Sequence, residues 1–111
     1  MVKKFDIILV DLNPVKGSEQ AGVRPCLVMQ NDYANSCSRT YVVAIISSVI
    51  KRYPHTCILS PEKETGLLQE SRIDFLQVRT VDVSRIIKKL GELPVSLHAE
   101  CNKKIKTAYG V

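Results

Sequence analysis

This chain of 111 residues has no apolar run long enough to cross a bilayer. A spanning helix needs about 18–20 consecutive apolar residues, and the best candidate, residues 41–50, has ten and includes two serines. The opening Met1-Val2-Lys3-Lys4 reaches Asp6 without the apolar stretch of a signal peptide. The protein is therefore expected to be made and kept in the cytosol. The four cysteines, Cys26, Cys37, Cys57 and Cys101, show no CxxC spacing. Without a sign of export, free thiols are expected rather than disulfides. Cys26 and Cys57 lie among apolar residues and read as small core side chains. His55 and His98 do not join them into the clustered ligands of a zinc site, so neither metal nor other cofactor is expected. No Gly-x-Ser-x-Gly elbow is present, which argues against nucleophilic serine hydrolysis. Repeats, low-complexity tracts and linkers are also missing. The length suits one hydrophobic core and not two, which predicts one domain over residues 1–111.

What is present is ordinary globular composition, with 45% hydrophobic and 24% charged residues. Sixteen Lys and Arg against eleven Asp and Glu leave a net charge of +5. That excess suits a phosphate backbone or an acidic protein partner, and does not choose between them.

The pattern along the chain predicts mostly strands. Ile7-Ile8-Leu9-Val10 is a continuous apolar run flanked by aspartates, the mark of a buried strand, and Asn13-Pro14 stops it. A long loop follows as far as Pro25, then a strand over residues 26–29 and a polar loop over 33–39. Residues 40–46 are β-branched and aromatic, the strongest strand in the chain. Residues 56–59 and 71–78 are further strands, the second with Ile73, Phe75 and Gln77 on one face. Residues 85–90 suit strand or helix, ended by Gly91. Leu97, Cys101, Ile105 and Ala108 then recur at helical spacing, with Ser96 as a possible N-cap and Gly110 beyond the last turn. Short strands followed by one terminal helix predict an α+β fold, mainly β: a strongly bent antiparallel sheet or small barrel backed by that helix.

Three groups of residues are equipped for chemistry. In the loop Gly17-Ser18-Glu19-Gln20-Ala21-Gly22-Val23-Arg24-Pro25, Arg24 offers a planar fork suited to phosphate oxygens. Pro25 restricts its backbone to an extended form. Arg24 is then a phosphate clamp, or the partner of Glu19 in an ion pair that staples the loop; the chemistry alone leaves both open. Ser47-Ser48, at the end of the strongest strand, can hydrogen-bond a phosphate or simply end the strand in a turn. Gln77, Arg79, Thr80, Asp82 and Arg85 form a basic rim or an ordinary solvated face. His55 and His98 are a poor acid–base pair, because His98 lies off the apolar face of the predicted helix.

These motifs, taken together and in order, resemble the MazF/PemK family of toxins. The resemblance runs from Asp6–Pro14 and Gly17–Pro25 through Leu27–Asp32 and Val43–Ser48. It returns at Gln77–Asp82 with Arg85, and at Leu90–Leu93. It implies a bent antiparallel sheet related to SH3-like barrels, in a symmetric homodimer. The implied activity is that of a type II toxin: metal-independent, sequence-specific cleavage of single-stranded messenger RNA. The ribose 2′-hydroxyl would attack the adjacent phosphate, leaving 2′,3′-cyclic phosphate and 5′-hydroxyl ends. DNA, without that hydroxyl, would be spared, and met only through a complex with the antitoxin. A cognate antitoxin would lay an acidic segment across the site.

Carried over by position, the resemblance makes Arg24 the catalytic arginine and Glu19 the loop glutamate implicated in activity. Ser47 stands where most members have threonine, which keeps the hydroxyl. Gln77 and Arg79 match residues beside the RNA groove, and Gln20, Ser48 and Asp74 are expected to contact RNA with them. One position departs: several members carry an acidic residue just before the matching glutamine, and here it is Leu76. Asp74 or Glu19 substitutes as base, or no carboxylate is needed, or catalysis is impaired. Two other readings stand: a gyrase poison of the same fold, and a non-catalytic small-barrel adaptor. The first depends on a C-terminal tryptophan, and this chain has none.

Overall fold

Strand β1 (Asp6–Asp11) carries the continuous apolar run, and both of its faces are covered, as such a run requires. In the computed structural model, which describes residues 2–13, 17 and 22–111, β1 is an inner strand. Its companions are β2 (Val23–Val28), β3 (Thr40–Ser47), β4 (Thr56–Leu59), β5 (Ser71–Asp82) and β6 (Ile86–Glu92). They form a sheet of order β4-β5-β3-β2-β1-β6, and all its neighbouring pairs run antiparallel. Helix α1 (Asp32–Cys37) joins β2 to β3, and helix α2 (His98–Tyr109) ends the chain. The expected α+β architecture is what the structure contains.

The strands alternate their side chains between two apolar clusters. Ile7, Leu27, Ala44, Ile46, Ile73 and Phe75 build the cluster beneath α2. Ile8, Val10, Cys26, Val28, Val43 and Ile45 build the other, closed by Val81 and Ile86 where the chain curls past β5. Leu97, Cys101, Ile105 and Ala108 pack on the first cluster, as their spacing predicts. Cys101 is fully buried there and Leu97, Ile105 and Ala108 partly, so the apolar area of this stripe is what holds α2 on the sheet. Gly110, in the left-handed region at φ 69°, ends the helix in the expected way.

Several local expectations are corrected. The polar stretch 33–39 is not all loop: Asp32–Cys37 is helix α1. Asn31 caps it by accepting from the Ala34 N–H at 2.9 Å, and the Asn35 amide donates back to the Gln30 carbonyl. Six residues are too few for apolar periodicity to announce a helix. Ser96 does not cap α2. It lies within a 3₁₀ turn, Val95–Leu97, and Leu97 precedes the helix without a side-chain cap. His98 is only half-exposed, its ring edge-on to Phe5 at 4.8 Å. Gly91 lies inside β6 rather than ending it, paired with Ile7 of β1, and a Cβ there would run into the Glu64 carbonyl. Gln77 does not follow Ile73 and Phe75 inward. An irregularity in the β3–β5 register between Ala44 and Ile46 leaves Leu76 and Gln77 exposed.

Candidate active site

Strand β2 starts earlier than expected, so Arg24 and Pro25 belong to it, paired with Val10 and Leu9 of β1. On the other side, pairing with β3 begins only at Cys26, opposite Ile45. Pro25 has no N–H to give, and it stands where β2 no longer bonds to β3. The two strands part there, and β3 runs on through Ile46 to Ser47 paired with β5 but no longer with β2. A cleft of about 360 Å³ opens at the divergence, with Arg24, Ser47, Ser48, Leu68, Gln69 and Lys88 among its lining residues.

Arg24 is half-buried and Ser48 exposed, while Ser47 is buried. The Ser47 Oγ accepts the Val49 N–H at 3.1 Å. That bond fixes the oxygen and leaves the hydroxyl proton to be donated elsewhere. Lys88 and Gln69 also reach the cleft. Sequence reading missed both, because nothing local says that β6 and the segment before β5 come to the end of β3.

Gln77, Arg79 and Asp74 are not among the residues lining this cleft. Gln77 is exposed on β5. Arg79 donates from Nη1 to the Leu12 carbonyl at 2.7 Å, and Arg85 from Nη1 to the carbonyls of Asp11 and Asn13. These two arginines therefore hold the base of the 13–22 segment. From within that base, Asn13 Oδ1 accepts the Gly22 N–H at 3.1 Å and the Leu12 N–H donates to the Gly22 carbonyl. Asp82 caps the 3₁₀ turn Val83–Arg85 by accepting from the Ser84 N–H, and its carboxyl is held below the usual range first by the Ser84 side chain and then by this backbone bond. Glu19 and Gln20 lie outside the described residues.

Asp74 is buried on the β4 side of β5, opposite Thr56. Its Oδ1 accepts the Leu76 N–H at 2.9 Å and faces the His55 Nε2 at 3.7 Å. The His55 ring in turn stacks on Tyr53, centroids 5.3 Å apart. The two histidines are thus employed separately, His55 with Asp74 and His98 with the Leu93 carbonyl.

No cysteine is placed as a nucleophile in the cleft. Burial pushes the Cys26 thiol up to about 12, against a smaller opposing effect of Arg79. Cys57 is raised still further, first by its hydrogen bond with Cys101 and then by burial. All four cysteines are unpaired, as the sequence predicts. Among the described residues no three His, Cys, Asp or Glu side chains converge to hold a metal ion. No helix of the described residues is long and apolar enough to cross a membrane.

The architecture is shared with known toxins. MazF from Deinococcus radiodurans superposes with a TM-score of 0.82 at 23% identity, covering 99% of this chain and 97% of that one. An endoribonuclease from a mycobacterial species, solved with its cognate antitoxin, gives 0.83 at 17% identity, covering 100% and 97%. In sequence, two proteins named Endoribonuclease MazF, from Staphylococcus saprophyticus and Staphylococcus epidermidis, are each 36% identical over 112 residues. Those alignments span 100% of this chain and 93% of each relative. Residues 3–109 match the family described as PemK-like, MazF-like toxin of type II toxin-antitoxin system. The fold is thus that of the MazF toxins. The chain belongs to the PemK/MazF-like family of type II toxins, as the resemblance in its motifs implies.

Proposed function

We propose that this toxin is an endoribonuclease that cuts single-stranded messenger RNA at the cleft between β2 and β3. The observation that carries the reading is the meeting of Arg24 and Ser47 there, on strands that have parted. The ribose 2′-oxygen attacks the adjacent phosphorus, and the bond to the 5′-oxygen breaks. The products are a 2′,3′-cyclic phosphate and a 5′-hydroxyl. Arg24 offsets the extra negative charge of the phosphorane with its planar fork. Ser47, its oxygen held by Val49, donates its proton to a non-bridging oxygen. Ser48 and Gln20 contact the strand beside it, with Gln77 and Arg79 further along the same groove.

The base that takes the 2′-proton is Glu19 in this reading. Leu76 offers no carboxylate, and the Asp74 carboxylate is engaged by the Leu76 N–H and His55. Asp74 then shapes the end of β4 rather than moving a proton. The toxin works in the cytosol as a homodimer, and an acidic segment of its antitoxin covers the basic cleft. This agrees with the net charge of +5.

Incubation with a long single-stranded RNA in EDTA, followed by sequencing of 5′-hydroxyl ends, tests the proposal. Discrete fragments ending in cyclic phosphate are expected, with DNA untouched. Intact RNA would overturn it, and inhibition of gyrase in the same preparation would point to the poison instead.

A further inference from the structure

Arg72 is among the buried residues of the chain, 8% exposed, and its Nε has no hydrogen-bond partner among the described residues. No ion pair among them reaches it either. A buried cation left without an acceptor is costly, and proteins seldom keep one. Its position suggests what the acceptor is. In the β3–β5 ladder Arg72 lies directly opposite Ser47. Residues so paired on antiparallel strands project to the same face with Cβ atoms about 4.5–5.5 Å apart. Arg72 is not itself among the residues lining the cleft, but its side chain leaves β5 on the same face as the Ser47 hydroxyl assigned to the scissile phosphate.

We infer that Arg72 is a second phosphate-binding cation of the cleavage site, and that an RNA backbone phosphate next to Ser47 supplies its missing acceptor. This rests on the ribonuclease reading above. The nearest carboxylate along β5 does not satisfy Arg72. Asp74, two residues on and so on the same face, already accepts from the Leu76 N–H and faces His55. The partners of Arg72 on either side, Ile58 in β4 and Ser47 in β3, bring no negative charge. What Arg72 lacks on this face is an anion, and the substrate is a polyanion whose phosphate must come to Ser47.

The test compares wild type with Arg72→Gln and Arg72→Lys, using a mixed-sequence RNA oligonucleotide pool, fully 2′-O-methylated so that it cannot be cut. A backbone contact is independent of base sequence, so the pool needs no known cleavage motif. For Arg72→Gln the affinity should fall about tenfold at low salt, and the slope of log K against log salt should shrink by ~0.7, the value for one phosphate contact on a single strand. Arg72→Lys should keep the wild-type slope. Should Arg72→Gln not fold, wild-type protein labelled with ¹⁵N is titrated with the same pool. The Arg72 Nε–H signal, assigned through its own side chain, should then shift.

An unchanged slope in a folded variant, or an unmoved Nε–H signal, overturns the inference. So does dissociation of a dimer at unchanged RNA affinity, which would give Arg72 to a second copy of the chain. Wild-type cleavage of RNA is scored separately. Its absence removes the ribonuclease reading and this inference with it, whereas cleavage with an unchanged slope removes the role of Arg72 alone.

Discussion

Arg79 on β5 and Leu12 at the end of β1 are 67 residues apart in sequence, and the Arg79 Nη1 donates to the Leu12 carbonyl at 2.7 Å. The bond ties β5 to the base of the 13–22 segment. Arg79→Met should destabilise the fold by about 1.5–3 kcal/mol, the range for a hydrogen bond from a charged donor, and nearer the lower end because the residue is half-exposed. Urea unfolding measures this. RNA cleavage should fall as well, because the segment carrying Glu19 loses an anchor. A variant as stable as wild type would show that the bond contributes nothing.

The cleft makes a stronger demand on Arg24. Arg24→Ala should lower cleavage by about 10²–10³-fold or more with an unchanged circular dichroism spectrum, the loss typical of a preorganised donor to a developing charge. Arg24→Lys should not restore it, since an ammonium lacks the planar fork. Ser47→Thr should stay active and Ser47→Ala should not. Full activity in purified Arg24→Ala would remove the assignment.

Asp74→Asn should slow cleavage much less than Arg24→Ala does. An asparagine still accepts the Leu76 N–H through its amide oxygen, and only the charge facing His55 is lost. Single-turnover rates on one RNA compare the two variants directly. Equal losses would make Asp74 the base after all.

The thiols give a stability test. Cys26 has a pKa of about 12 in the folded chain against the ordinary 9.0, because it is buried. Its folded pKa is raised, so its contribution is complete below pH 9 and is lost as the pH climbs toward 12. Unfolding exposes the thiol and releases its proton, so stability should drop by about 1.4 kcal/mol per pH unit across that window. Cys57, also raised, steepens the same slope. Cys26→Val should flatten it in alkaline denaturation curves and leave cleavage intact. In the native protein iodoacetamide should label exposed Cys37 and spare the three buried thiols, which mass spectrometry of tryptic peptides reads out.

Much of this architecture was legible in local pattern. The run Ile7–Val10 announces a strand with two covered faces, and the 97/101/105/108 stripe announces the terminal helix. Both signals are periodicities of burial, and burial is what organises a core. Helix α1 was illegible because it rests on one asparagine cap and spans only six residues, too few to show a period. The irregularity that turns Gln77 outward was illegible because it arises between two strands and is written in neither.

The candidate site divides in the same way. Arg24 and Ser47 were found in the sequence because their residue types, motif and order along the chain carry the signal. That they line one cleft follows from where β2 stops bonding to β3, a matter of register between segments that no residue type reveals. Arg79 is expected beside the RNA groove from the sequence, and only the fold shows that its Nη1 also reaches the Leu12 carbonyl. Arg72 looks like one more strand residue, and the fold places it, buried and unpartnered, opposite Ser47. A side chain brings its own chemistry, and the sequence shows that chemistry directly. Whether a cation meets a carbonyl or waits for a phosphate is set by what other strands place within a few ångströms, and only the assembled sheet decides that.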